Sequence, residues 1–147
     1  FILYDMWLYK NKEINSIEDM PTNTFGFVYL VTHTPSGKKY LGKKQLISNR
    51  TWPPLKGQKK KRKIQKESDW KTYYGSQSEV KQLVKESKDK LEFVREIIIF
   101  TSTKKQLTYF ETKLQFVNEV LENDEYLNSN ILGKFFRKDL YDKSVIS

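Results

Sequence analysis

At 147 residues the chain is long enough to form one compact domain with a real core, and its 14% aromatic content argues against a disordered tail. It has no cysteine and a single histidine, His33, which excludes disulfides, thiolate metal sites and histidine-rich zinc sites. The net charge of +9 favours a nucleic-acid partner, and the sequence contains no run of about eighteen apolar residues that would predict a membrane span.

The first predicted elements are two strands that form a hairpin. Residues 26–32 are rich in β-branched and aromatic side chains, and residues 38–42 predict a second, shorter strand. Between them, residues 35–37 are Pro-Ser-Gly, in which proline presets φ at the second position of a turn and glycine allows a positive φ. This hairpin would bring Tyr29 and Tyr40 close together on neighbouring strands.

A strongly basic stretch follows at residues 56–66. Because Pro53 and Pro54 precede it and Gly57 lies within it, we expect an exposed loop and not a core element. Clustered lysine and arginine side chains bind nucleic acid by releasing its counterions, so the stretch is a candidate phosphate-binding loop. A solvated charge run and a localisation signal are the alternatives that basicity leaves open. The basic residues are Lys56, Lys59, Lys60, Lys61, Arg62, Lys63 and Lys66.

The second half of the chain predicts a helix, a strand and another helix. Ser76 or Ser78 is a candidate N-cap for a helix over residues 79–88. Residues 91–100 predict a strand, and the end of this strand is apolar on both faces, which indicates a central position in a sheet. Residues 101–103, Thr-Ser-Thr, would cap the next helix, which carries a core-facing apolar stripe made of Leu107, Phe110, Leu114, Val117 and Leu121.

One acidic residue, Glu111, lies within that apolar stripe. It shares a helix face with Leu107 and Leu114, so its carboxylate is expected to be partly buried. Such burial is costly unless the carboxylate is paired or bound to a cation. Glu111 is therefore either a metal ligand or a residue at the edge of the stripe that reaches water or pairs with Lys113 or Arg95. Any metal here would be a hard ion held by oxygen, of which Mg²⁺ is the first choice.

Pattern alone leaves ordinary explanations open for the other candidates. A strand tyrosine such as Tyr29 or Tyr40 is usually a half-buried packing residue. Arg50, ten residues after the second tyrosine, could equally be a surface cation, and so could Lys39.

The combined order of these residues resembles the GIY-YIG nuclease superfamily. Residues 26–29, Gly-Phe-Val-Tyr, and residues 40–44, Tyr-Leu-Gly-Lys-Lys, are similar to the two halves of its signature. One departure is Phe27, which stands where the family has glycine. The spacing to Arg50 and the later Glu111 and Asn128 also match the family. Residues 67–76, which follow the lysine-rich insertion at about 53–66, resemble the SegE-like branch of phage mobile endonucleases.

The resemblance implies a single GIY-YIG-like nuclease domain over residues 1–147 with a small α/β (α+β) fold. Its three-stranded antiparallel sheet would be flanked by helices, with residues 97–99 in the third strand. The two tyrosine-containing strands would pair, so that the hairpin, the helix bearing Glu111 and Arg50 converge on one groove.

The resemblance also implies roles for the candidate residues. Tyr29, helped by the metal cation and by Lys39, would deprotonate a water, which requires a lowered tyrosine pKa. Tyr40 would orient the water or the phosphate, and Arg50 would stabilise the charged transition state. Glu111 would bind Mg²⁺, with Mn²⁺ as the alternative ion. Asn128 would support the site.

The function implied is a metal-dependent DNA endonuclease of the homing, mobile-element type, acting on double-stranded DNA in the cytoplasm of an infected bacterial host. Lys43 and Lys44 would join the basic stretch in holding the DNA. The alternative is a non-catalytic basic module that binds DNA or RNA, for example in the manner of a ribosomal protein. The sequence leaves the oligomeric state open.

Overall fold

The computed structural model describes residues 6–87 and 89–140, with Arg50 described as backbone only. Nine strands and three α-helices lie in this part of the chain. In chain order they are β1 (Trp7–Tyr9), β2 (Lys12–Ile14), β3 (Gly26–His33), β4 (Lys38–Gln45), β5 (Ile47–Trp52), β6 (Arg62–Glu67), α1 (Ser78–Glu86), β7 (Phe93–Thr101), α2 (Lys104–Val117), β8 (Asn130–Ile131), β9 (Phe135–Phe136) and α3 (Arg137–Leu140). Single 3₁₀ turns occur at Ile17–Asp19, Trp70–Thr72 and Lys90–Glu92.

The predicted hairpin is confirmed as β3 and β4, which pair antiparallel along their whole length. Gly37 has a φ of +73°, and its N–H donates to the carbonyl oxygen of His33 at 2.8 Å, which closes the turn. In the register Tyr29 faces Gly42, and Val31 faces Tyr40. Since side chains alternate along a strand, the two tyrosines therefore lie on the same face of the sheet.

The main sheet has five strands in the order β2-β1-β7-β3-β4, so the mixed fold is confirmed while the predicted count of three is too low. Within the run β7-β3-β4 the neighbouring strands pair antiparallel as expected, and β7 is central as predicted. The two additional strands form a short N-terminal hairpin, and β1 pairs parallel with β7. This hairpin turns through Lys10 and Asn11 at positive φ, without the glycine that usually marks such a turn.

The basic stretch is exposed as predicted, but its second half is a strand and not a loop. β5 and β6 form an antiparallel two-stranded ribbon, with residues 53–61 as its tip. Arg62 and Ile64 are the less exposed side chains of β6, and Nε of Arg62 donates to the carbonyl oxygen of Pro53 at 3.2 Å. Antiparallel pairing with β5 at every position from Arg62 to Glu67 keeps this basic segment extended.

The sheet separates two apolar cores. One face carries Trp7, Phe27 and Tyr29, and it is covered by residues that include Trp70 and Val80. The other face packs against α2 through residues that include Val28, Leu41, Leu107, Leu121 and Ile131. Within the described residues no helix has the length and apolar character needed to cross a membrane.

The helix boundaries modify two sequence predictions. The N-cap of α1 is Gln77 and neither of the two predicted serines, because the Gln77 side chain accepts the N–H of Val80. α2 begins after Thr103, as predicted, and Thr103 caps it by accepting the N–H of Gln106. The predicted stripe of α2 is broken at its end, since Val117 is 67% exposed.

Candidate active site at the edge of the sheet

The β3–β4 hairpin holds the two signature tyrosines against each other. The ring centroids of Tyr29 and Tyr40 are 6.3 Å apart. Gly42 leaves the space they need, because a Cβ at that position would lie 2.7 Å from Oη of Tyr29 and 2.8 Å from Cε2 of Tyr40. The glycine of the second motif is therefore required for both rings to occupy these positions.

Tyr29 is buried and enclosed by aromatic rings. Trp7 and Tyr73 contact its ring edge-on, at centroid distances of 5.2 and 6.0 Å, and Tyr73 shares a side-chain hydrogen bond with it. Burial, followed by the neighbouring Tyr73 and Tyr40, raises the pKa of Tyr29 well above its ordinary value. The protein's own groups therefore do not supply the lowered pKa that the mechanism requires of this tyrosine, because burial disfavours the phenolate.

Tyr40 is less buried than Tyr29 and reaches a pocket. Burial is the main cause that raises the pKa of Tyr40 to about 12, and the nearby Tyr73 and Glu111 add to it, while a hydrogen bond with Ser76 opposes it. Gly75 lies against the Tyr40 ring, with a φ of +128° that suits glycine. The Tyr-Tyr-Gly-Ser segment at residues 73–76 thus packs against the two signature tyrosines, a role that the sequence analysis did not assign to it.

Glu111 projects from α2 next to β4. Its side chain is 16% exposed, and its Oε1 atom lies 3.8 Å from Nζ of Lys43, which also donates to Oγ1 of Thr108 at 3.0 Å. Burial raises the pKa of Glu111, and the ammonium of Lys43 partly opposes that rise. The sequence analysis offered Lys113 or Arg95 as partners, and the structure has Lys43 instead because α2 packs across the edge strand.

Tyr40 and Glu111 meet although they belong to opposite faces of the sheet. They meet because β4 is the last strand of the sheet, so that side chains from either face can reach around its edge. Both line one pocket of about 210 Å³. The other residues in its wall are Gln77, Gln115, Asn128, Ser129, Asn130, Leu132 and Gly133.

Asn128 holds the edge strand at the pocket. Its Nδ2 donates to the carbonyl oxygen of Leu41 at 2.8 Å, and its Oδ1 accepts the N–H of Leu41 at 3.1 Å. Gln115, a buried residue that the sequence analysis missed, donates to the same carbonyl at 3.1 Å. These bonds fix the backbone between Tyr40 and Gly42, so Asn128 acts on the geometry of the site through the strand.

The three lysines proposed in β4 have different surroundings. Nζ of Lys39 lies 3.7 Å from Oε2 of Glu125, and Lys39 is not in the wall of the pocket. Nζ of Lys44 is 2.6 Å from Oδ1 of Asp69 and 3.8 Å from the centroid of the Tyr73 ring. Lys43 is the β4 lysine that the structure brings to Glu111.

The remaining proposed residues lie on the ribbon. Arg50 is a backbone position in β5 opposite Ile64, and its side chain lies outside the described part of the structure. The base of the ribbon is tied to the end of β4, since the Ser68 hydroxyl donates to the carbonyl oxygen of Gln45 at 2.6 Å. The ribbon that carries the basic side chains therefore begins where β4, the strand that carries Tyr40, ends. The basic side chains are Lys56, Lys59, Lys60, Lys61, Arg62, Lys63 and Lys66.

The donor set at the pocket suits a metal ion that keeps much of its water. No group of three or more histidine, cysteine, aspartate or glutamate side chains is assembled among the described residues. Glu111 is the carboxylate of the pocket wall, with the amide groups of Gln115 and Asn128 beside it. Mg²⁺ is commonly held by one or two carboxylates together with water and substrate phosphate, and it does not need a set of ligands supplied by the protein alone. A pocket with one carboxylate therefore fits Mg²⁺.

Comparison with known protein families identifies the family of the chain. The model of the family described as "Putative endonuclease segE, GIY-YIG domain" matches residues 7–131, which is most of the chain. The chain therefore belongs to the GIY-YIG nucleases. Within that superfamily it belongs to the SegE branch, which confirms the resemblance identified from its motifs. No curated protein and no solved structure matches the chain.

Proposed function

We propose that this chain is a Mg²⁺-dependent endonuclease that hydrolyses a phosphodiester bond of double-stranded DNA in the pocket at the β4 edge. The observation that carries the proposal is the convergence of Tyr40 and Glu111, from opposite faces of the sheet, on one pocket of about 210 Å³. A purely binding module has no use for a largely buried carboxylate at that place, since burying it is costly without a cation.

Glu111 is the residue that would hold the metal ion. When bound, Mg²⁺ supplies positive charge that stabilises the negative charge developing on the phosphate and leaving oxygens. The raised pKa of Glu111 is consistent with this role, because a carboxylate disfavoured by burial gains more from a nearby cation than an exposed one does. Lys43 partly compensates that charge in the protein alone and would be available to a phosphate oxygen once Glu111 has another partner.

The two tyrosines would act as hydroxyl groups and not as phenolates in the protein as described. With the pKa of Tyr40 at about 12, and that of Tyr29 also raised, both are protonated at neutral pH. Tyr40 would donate a hydrogen bond to a phosphate oxygen and orient the attacking water. Tyr29, through its contacts with Tyr73 and Tyr40, would fix the position of that hydroxyl.

The basic ribbon would hold the DNA beside the pocket. Its lysines are exposed and clustered, and clustered cations bind the phosphate backbone by releasing counterions. Arg50, on the strand that follows β4, would stabilise the charge of the transition state. By membership in the SegE branch we also propose a homing-type role for the endonuclease, in the cytoplasm of a phage-infected bacterium.

The proposal is tested by cleavage of supercoiled plasmid with Mg²⁺, with Mn²⁺ and with EDTA. We expect nicked or linear product only with a divalent ion. Glu111→Gln should retain DNA binding and lose cleavage, because an amide cannot supply the anionic ligand. The control is Glu96→Gln, an exposed carboxylate on β7 outside the pocket wall, which should cleave normally.

The opposite result would favour a non-catalytic nucleic-acid-binding module. DNA binding without cleavage under every metal condition would assign the chain to that class. Cleavage by Glu111→Gln at the wild-type rate would instead retain the nuclease and remove Glu111 from its mechanism.

A further inference from the structure

The short hairpin made by β8 and β9 carries an unusual turn. Leu132 and Gly133 are its two central residues, with φ values of +60° and +65°, and the N–H of Lys134 donates to the carbonyl oxygen of Ile131 at 3.1 Å. Two positive φ values in succession define the mirror-image type I′ turn. Asn-Gly is the favoured sequence for this turn, and here the asparagine position is occupied by leucine.

Leu132 has neither a favourable backbone conformation nor a buried side chain. The left-handed region is unfavourable for a side chain branched beyond Cβ that cannot make a local hydrogen bond. Its side chain is also 53% exposed, so little of it is removed from water. An unfavourable backbone conformation that carries an exposed apolar side chain points to a contact made outside the folded chain.

The position of Leu132 shows where that contact would occur. Leu132 lines the pocket that contains Tyr40 and Glu111, and it is the aliphatic residue in a wall that is otherwise largely polar. The other exposed apolar residue of the hairpin, Phe135, packs against the ring of Phe116 at a centroid distance of 5.8 Å. Leu132 is therefore the apolar group at the tip that faces an incoming ligand.

The base of the hairpin is held in place by core packing and by hydrogen bonds, which fixes the position of its tip. Ile131 is buried in the core beneath α2. The guanidinium of Arg137, directly after β9, donates to the carbonyl oxygens of Val120 at 2.6 Å, Tyr126 at 2.7 Å and Asn128 at 2.9 Å. A side chain fixed on such a support can press on a ligand without the hairpin yielding.

We propose that Leu132 is a wedge that enters the minor groove next to the scissile phosphate and partly unstacks one base step. The proposal rests on the DNA endonuclease function proposed above. Apolar wedges such as leucine are used by minor-groove proteins to kink DNA. Lys134 in the same tip and the net charge of +9 suit a polyanion better than the apolar surface of a protein partner.

The decisive variant is Leu132→Asn. Asparagine is favoured in this turn, so the variant should melt at the same temperature as the wild type or higher, while the wedge is lost. We expect cleavage of relaxed plasmid to fall by about tenfold or more, and cleavage of the same plasmid in negatively supercoiled form to fall clearly less. Supercoiling supplies part of the deformation that the wedge would otherwise produce, which is why the two forms should differ.

Two further variants make the test specific. Leu132→Met keeps a flexible apolar side chain and should restore most of the cleavage of relaxed plasmid. Val117→Gln changes an apolar residue at the end of α2 that is even more exposed than Leu132 but lies outside the pocket wall, and it should leave both rates unchanged.

Any other outcome contradicts the proposal that Leu132 acts as a wedge. If Leu132→Asn lowers both rates equally, Leu132 only positions the hairpin, and if it lowers neither, the side chain has no role. A change in molecular mass in solution on substitution would assign Leu132 to a contact between copies of the chain. If the wild type cleaves no DNA with Mg²⁺ or Mn²⁺, the proposed function itself fails, and the wedge fails with it.

Discussion

Substitution of Gly42 by alanine tests whether the spacing of the two tyrosines matters for the reaction. The new Cβ would lie 2.7 Å from Oη of Tyr29, 2.8 Å from Cε2 of Tyr40 and 2.9 Å from Cζ of Tyr29. Ordinary carbon–carbon contacts lie at about 3.5–4.0 Å, so at least one ring must move by roughly 1 Å. Tyr29 cannot move freely, because the rings of Trp7 and Tyr73 enclose it.

The expected magnitudes follow from this overlap. Overpacking of a close-packed site costs about 1–3 kcal/mol. The unfolding entropy is about 2.1 cal/mol/K per residue, so for 147 residues the melting temperature should fall by roughly 3–10 °C. A displacement of about 1 Å at a reacting group lowers the rate on the order of a hundredfold. Differential scanning fluorimetry and plasmid-nicking rates at saturating DNA measure the two effects.

A matched control is Gly57→Ala in the tip of the basic ribbon. Unlike Gly42, which lies in β4, Gly57 has a positive φ, of +84°, and a Cβ there meets nothing within 4 Å. Alanine is strained at this φ, so the control should lower stability by about 1–2 kcal/mol, comparable to Gly42→Ala, and leave the cleavage rate at saturating DNA unaltered. Gly42→Ala with wild-type stability and rate would contradict the tight packing of the tyrosines. A loss of stability with an unchanged rate would mean that their spacing is unimportant for the reaction.

Three other outcomes follow from the site. Because burial raises the pKa of Glu111, ionisation of its carboxyl above pH 4.5 destabilises the folded chain. Glu111→Gln should therefore melt at a higher temperature than the wild type at pH 7. This difference in melting temperature should vanish as the pH falls below 4.5. Tyr29→Phe removes only the hydroxyl that helps to position Tyr40, and the lost positioning should slow cleavage by up to about a hundredfold with little change in melting temperature. In a salt titration of DNA binding, each lost phosphate contact should reduce the slope of log K against log salt by about 0.9, so the slope should flatten when four ribbon lysines are changed to alanine. The four residues changed are Lys59, Lys60, Lys61 and Lys63. An equal slope for the wild type and this variant would show that the four side chains are solvated surface.

The sequence predicted the parts of the site that depend on local patterns. The hairpin followed from the turn at residues 35–37 and the strand composition around it, and both tyrosines then fell on one face. Glu111 was recognised because it interrupts a helical stripe, and its partial burial is confirmed. These features depend on neighbours within a few positions, where the periods of strands and helices apply directly.

The parts that depend on contacts between distant segments could not be predicted in the same way. Asn128 was identified by resemblance, but its bonds to Leu41 span 87 positions and no local pattern indicates them. The pairing of Glu111 with Lys43 depends on where α2 packs across β4, and no local sequence pattern indicates that position. The raised pKa of Tyr29 depends on the rings that bury it, and these come from segments far apart in the chain.

The edge position of β4 explains how so small a fold can assemble the site. Residues 125–127 pair with the start of the strand, through Lys39 N–H to Glu125 at 2.8 Å and Leu127 N–H to Lys39 at 2.6 Å. Asn128 then continues that pairing at Leu41 with its side chain. Beyond this point no other strand pairs with the outer side of β4 in the described residues. An open edge invites pairing with other chains, and charged side chains discourage it. The lysines at positions 43 and 44 therefore protect the edge and, at the same time, leave it accessible to a polyanion such as DNA.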